Sequence, residues 1–151
     1  MTYKKIQFIG YAIDTGPGWD DGHSIYLGLP DPRKDIDARC ILMRRAMETA
    51  RDQLSKKSPP EKTLKLFMAP EFFLRGDKGA YDMDSVQYAI RELQKIAAED
   101  QWEDWLIVFG TILGEWDQDE HAADKYAVNF ALIQEGGVAT AGPTGARIVT
   151  K

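Results

Sequence analysis

Cysteine is almost absent from this chain. Cys40 stands alone among 151 residues, so no internal disulfide framework is possible. That usage fits a reducing cytoplasm, which is the expected compartment. An excess of basic residues is lacking too. Net charge is −5 and pI about 5.0, which disfavours nonspecific partners such as nucleic acid or an anionic membrane. No apolar run is long enough to span a bilayer. The short apolar run after Met1-Thr2-Tyr3-Lys4-Lys5 is too brief for a signal-peptide core and is followed by no cleavage pattern. Recognised metal spacing is also missing. Asp20, Asp21 and His23, like Asp117, Asp119, Glu120 and His121, read as solvated turns, and no metal is expected. Gly142-Pro143-Thr144-Gly145 has neither the Lys-Ser/Thr nor the following helix of a phosphate loop. There is no internal repeat and no low-complexity segment.

What remains is an ordinary globular composition, 44% apolar and 11% aromatic, in a chain long enough for one domain with a substantial core. Strand-like and helix-like patterns alternate, so the expected class is α/β. Lys5 to Ile13 reads as a first strand, and residues 14–32 as a long loop of the kind that tends to carry function. From Asp35, Ile36, Cys40, Met43, Met47, Ala50 and Leu54 fall at spacings of four and three, one apolar stripe of a helix that Pro59 and Pro60 stop. Thr63 to Ala69 reads as a second strand, ended by Pro70. A second helix is expected from Asp84, as N-cap, to Glu99, with Val86, Ala89, Ile90, Leu93, Ile96 and Ala97 inward. Trp105 to Leu113 is nearly all apolar and reads as a strand buried on both faces. Trp102, Trp105 and Trp116 read as packing at its rims. Lys125 to Gln134 and Ala146 to Thr150 read as two more strands.

The segment richest in chemistry is Met68-Ala69-Pro70-Glu71-Phe72-Phe73. A carboxylate after a strand and before two phenylalanines is expected to be partly desolvated, which would raise its pKa and suit it to proton transfer near neutral pH. Carboxyl ends of strands are also where open α/β sheets tend to form sites. A Glu that merely caps the loop or pairs with Arg75 is the bland alternative.

The order of features resembles the nitrilase, or carbon–nitrogen hydrolase, superfamily over nearly the whole chain. A strand ends in Pro70-Glu71, a helix follows, then Val108-Phe109-Gly110-Thr111, then Tyr126-Ala127-Val128-Asn129-Phe130-Ala131-Leu132-Ile133, and Ala146-Arg147-Ile148-Val149-Thr150-Lys151 stands where that family's catalytic lysine strand lies. The resemblance implies half of an αββα sandwich, a mixed sheet with the two helices on one face and the other face bare. It implies Glu71 as general base and Lys151 as oxyanion stabiliser, with no metal or organic cofactor. The substrate would be a small amide, carbamoyl compound or nitrile, and the protein a homo-oligomer. The nucleophilic cysteine and second glutamate of that pattern would follow residue 151. Residues 1–151 then read as the N-terminal portion of one hydrolase domain, inactive alone, with a degenerate short homologue as the other explanation. Cys40, on the apolar helix stripe, is not the nucleophile. Asn129 reads as structural. The competing reading is a non-catalytic α/β module that binds a ligand or partner, with Glu71 a structural carboxylate.

Overall fold

The computed structural model describes residues 2–55, 62–117, 125–138 and 146–150. Chain order is β1 (Lys5–Gly10), β2 (Gly18–Asp20), β3 (His23–Ile25), α1 (Pro32–Ser55), β4 (Thr63–Met68), β5 (Tyr81–Asp82), α2 (Met83–Ala97), a short 3-10 turn (Asp100–Trp102), β6 (Trp105–Asp117), β7 (Lys125–Glu135) and β8 (Ala146–Thr150). The main sheet runs β1-β4-β6-β7-β8, with β5 pairing β6 beyond the end of β4. β1, β4 and β6 are parallel, while β7 and β8 add antiparallel. Each parallel step is bridged by one helix. Two same-handed crossovers moving in one direction across the sheet put both helices on one face.

That face is the core. α1 buries Ile36, Cys40, Met43 and Met47, and α2 buries Val86, Ala89, Leu93, Ile96 and Ala97. They meet Phe67, Ile107, Phe109, Ile112 and Leu132 from the sheet. Each such large side chain contributes about 1.5–3 kcal/mol through burial. Trp102 and Trp105 are fully within this core and stack edge-on at 5.2 Å, whereas Trp116 is exposed. Only Trp116 sits as the rim reading expected.

Side chains alternate along a strand, so the neighbours of Phe67 and Ile107 face away from the helices. There the sheet carries Ile6, Phe8, Leu64, Leu66, Met68, Leu106, Val108, Leu113, Ala131, Ile133 and Val149, none of them buried. Phe8 is 71% exposed and Ile6 57%. β6 is therefore covered on one face only, not on both as its apolar run suggested. The continuous apolar pattern supplies two different surfaces, and only one has a partner within the described residues.

Several boundaries differ from the sequence reading. β1 stops at Gly10 rather than Ile13. The 14–32 loop contains a small antiparallel hairpin, β2–β3. α1 starts three residues early, because Asp31 caps it by accepting from the Arg33 and Lys34 amides at 3.0 and 3.2 Å. Asp35 is instead 3% exposed and belongs to the core. α2 is capped by Asp82, not Asp84; its Oδ1 accepts from the Ser85 amide at 2.8 Å.

Candidate functional site

β4 hands the chain to the site through a tight turn built against β6. The Ala69 amide still donates to the Val108 carbonyl at 2.9 Å. Pro70 then ends the ladder, and β6 breaks register between Val108 and Thr111. Gly110 lies inside that break with φ +75°, and the Pro70 carbonyl oxygen would be 2.2 Å from a β-carbon placed there. Only glycine permits both the conformation and the approach. Thr111 takes over next. Its hydroxyl accepts from the Phe72 amide at 2.7 Å, and its carbonyl accepts from the Leu74 amide at 3.1 Å. Phe72 adopts φ +58°, an uncommon conformation for a bulky residue, held by these bonds and by burial of Phe73 and Leu74.

Glu71 is the outward-pointing residue of this turn. It is exposed, so the desolvation expected from the phenylalanines is not supplied by the described residues; Phe73 turns into the helix-side core instead. Its Oε1 accepts from Asn129 Nδ2 at 2.8 Å, across 58 positions of sequence. Asn129 pairs with Leu113 in the β6–β7 register and lies on the sheet face turned from the helices. Its other polar atom, Oδ1, is buried with no donor among the described residues. Sequence reasoning left Asn129 structural. The signal that could have found it is its parity: it alternates in step with Ala131 and Ile133, so it shares the face onto which Glu71 opens.

The 14–31 segment closes over the backbone of this turn. Thr15 Oγ1 donates to the Glu71 carbonyl at 2.8 Å, and Arg75 donates through NH2 to the Thr15 carbonyl. The Arg75 guanidinium also lies over the rings of Tyr26, at 4.2 Å, and Phe72, at 5.3 Å. Arg75 is thus a clamp on the loop rather than the partner of Glu71. A second clamp sits deeper. Asp35 Oδ2 receives Arg39 Nε at 2.8 Å and the Tyr81 hydroxyl, and Asp35 Oδ1 receives the Leu29 amide at 2.9 Å. Arg39 NH1 donates to the Phe73 carbonyl at 2.7 Å, and NH2 to the Leu27 carbonyl. One half-buried guanidinium therefore ties α1, the 14–31 segment and the Glu71 turn together. Burial, and then the hydrogen bond to Asp35, push the Tyr81 phenol far above its ordinary range, so it stays a donor.

Cys40 lies apart from this site, in the core beneath α1. Burial, reinforced by Glu92 and Asp37, pushes its thiol up to about 12, which makes it a packing residue rather than a nucleophile. Lys151 lies outside the described residues. So do Asp119, Glu120, His121 and the Gly142–Gly145 turn. Asp20, Asp21 and His23 are exposed on the β2–β3 hairpin, and the described residues contain no group of three or more His, Cys, Asp or Glu able to hold a metal. No helix among them is long and apolar enough to cross a membrane.

The fold and site thus define a mixed α/β sheet with two helices on one face and a carboxylate–amide pair at the end of a central parallel strand. Compared with known proteins, the chain matches no protein family, no curated protein and no solved structure.

Proposed function

We infer that this chain is the N-terminal portion of a nitrilase-like carbon–nitrogen hydrolase, with Glu71 as its general base. The observation that carries the reading is the Asn129–Glu71 hydrogen bond. It couples the Pro-Glu turn to the Tyr/Asn-bearing strand at the carboxyl end of a parallel strand, where α/β sheets form sites. The uncovered apolar face supports it too, since an αββα sandwich needs a second sheet against that face. The proposal also requires Lys151 beside the pair. Thr150, the residue before it, is registered with Phe130 in β7.

In this reading a cysteine downstream of residue 151 attacks the carbonyl or nitrile carbon. Glu71 takes the thiol proton and passes it to the substrate nitrogen, and Lys151 stabilises the oxyanion, or the nitrogen anion in the case of a nitrile. For an amide, the carbon–nitrogen bond breaks and ammonia or an amine leaves a thioester. A nitrile first gives a thioimidate, and water then releases ammonia. Glu71 next takes a proton from water, whose oxygen attacks the thioester, and that proton returns to the departing sulfur. Exposure of Glu71 in the described residues fits a site completed by the second half, which would supply the dry surroundings a base needs. The proposed setting is cytoplasmic, with small-molecule substrates, no nucleic-acid or membrane partner, no organic cofactor, and self-association of the protein.

The same exposure favours a second reading, a non-catalytic binding module in which Glu71 is a solvated carboxylate. Replacing Glu71 with Gln in the full-length protein separates the two. Turnover of small amides and nitriles should vanish while the thermal midpoint stays within about 2 °C, a near-isosteric surface change. Activity that survives the replacement removes Glu71 from the mechanism.

A further inference from the structure

The hairpin β2–β3 has a defined shape and little to lean on. Asp21 and Gly22 take φ of 44° and 79°, the paired left-handed conformation that best fits the twist of two antiparallel strands. Its root is held, since Arg75 donates to the Thr15 carbonyl on one leg and lies over the Tyr26 ring on the other. Beyond the root, every residue from 16 to 25 is exposed. Trp19 is 73% exposed, and its cross-strand neighbour is Ser24, too small to cover an indole. A two-stranded hairpin alone in water is marginal at best. Residues 16–25 also carry Asp20 and Asp21 but no lysine or arginine. The hairpin is thus an arm with an uncovered tryptophan beside two carboxylates.

The same chain has a groove of the opposite character. It lies between α1 and the end of β1, has a volume of about 400 Å³, and is lined by Ile9, Tyr11, Ala46 and Phe67, with exposed Leu42 beside them. Arg45 is the one charged side chain in its lining, exposed and in no ion pair among the described residues. β1 is the outer strand of the sheet, so the groove opens at the sheet's edge. An apolar groove with a single cation suits an indole flanked by carboxylates. Aromatic anchors in pockets with charges at the rim are how specific interfaces are commonly built. The chain's own arm leaves this groove open, because Trp19 stays exposed.

We propose that the occupant is a second copy of this chain. The arm of each protomer seats Trp19 in the groove of the other and sets Asp20 and Asp21 against Arg45 there. The exchange is reciprocal, so one twofold axis satisfies both arms and both grooves, and the assembly closes as a dimer. This gives the expected self-association a surface, and it does not depend on the chemistry of Glu71.

Sedimentation velocity on the 151-residue chain tests the proposal. The parent should show a concentration-dependent equilibrium between monomer and dimer. Trp19→Ala should weaken it at least about ten-fold, as loss of a buried anchor does. Arg45→Glu sets like charges at both contacts, and so does Asp20→Lys/Asp21→Lys, so each variant should be monomeric. Mixed in equal amounts, the two should form a heterodimer, because each arm then meets a groove of opposite charge. All of these positions are exposed, and unchanged far-ultraviolet circular dichroism shows that the fold is kept. Leu66→Lys, on the uncovered sheet face, should leave the equilibrium where it is. A parent that stays monomeric, an unchanged equilibrium in Trp19→Ala, association that survives either charge reversal, or no heterodimer on mixing overturns the proposal. So does loss of association in Leu66→Lys, which would make the sheet face the interface. The hydrolase reading is decided separately, by the Glu71→Gln turnover experiment.

Discussion

The carbonyl oxygen of Pro70 occupies the place where a β-carbon of residue 110 would stand, 2.2 Å away. The Pro-Glu turn and the break in β6 are therefore one structural unit. Gly110→Ala must relieve a backbone clash and a positive φ together, and should lower stability by roughly 2–5 kcal/mol. Gly10 is the control, since nothing lies within 4 Å of a β-carbon built there. Urea unfolding of the two variants measures the difference. If Gly110→Ala is as stable as Gly10→Ala, the turn does not depend on this approach.

Arg39 makes the second dependence. Its side chain is 16% exposed and its partner Asp35 4%, so the pair is largely removed from solvent. Arg39→Met keeps the aliphatic bulk but strands Asp35 and frees two carbonyls, and should cost about 3–5 kcal/mol. The double variant Arg39→Met/Asp35→Asn should recover at least about 1 kcal/mol of that loss, because the uncompensated charge is gone. A double-mutant cycle in urea reads the coupling. Additive losses would mean that the ion pair is not what ties the segments together.

Cys40 provides a test in the alkaline range. Its thiol is pushed up to about 12 by burial, whereas an unfolded cysteine ionises near ~8.5. The folded state therefore holds a proton that the unfolded state releases. The associated stability is complete below the unfolded value and declines as pH rises from there toward the folded one. Cys40→Ala should show a shallower loss of stability than the parent chain between about pH 9 and 11, both followed by urea midpoint. Identical slopes would place Cys40 in a wetter setting than the core beneath α1.

The helices and most strands were legible because their apolar spacing reports a buried surface directly. α2 is the clearest case: of the six residues that the period points inward, Val86, Ala89, Leu93, Ile96 and Ala97 are buried and Ile90 is half-buried against them. β6 shows the limit. A run such as Trp105 to Leu113 says that both sides are apolar, not that both are covered. The helix starts slipped because Asp31 and Asp35, like Asp82 and Asp84, are equally good caps by type. Which one caps depends on where the preceding loop enters: Asp31 accepts from the Arg33 and Lys34 amides, while Asp35 is taken up by the Leu29 amide.

Glu71 was visible through Pro70 and the two phenylalanines. Its surroundings were not, because they come from distant segments: Thr15 from the 14–31 loop, Thr111 from β6, Asn129 from β7. The expected desolvation failed for a local reason. The left-handed Phe72 reverses the chain, sending Phe73 inward and Glu71 out.

The mixed pairing of the sheet also orders the assembly of the protein in time. β6 and β7 are neighbours in sequence as well as in space, so their ladder closes a short loop. β1 and β4 pair only across the whole of α1, and the entropy of closing that larger loop comes due before any strand contact rewards it. The platform of Gly110, Thr111 and Asn129 thus comes from chain made after Glu71, and the Pro70–Leu74 turn has nothing to rest on until then. Glu71 acquires its position only once those later strands are in place.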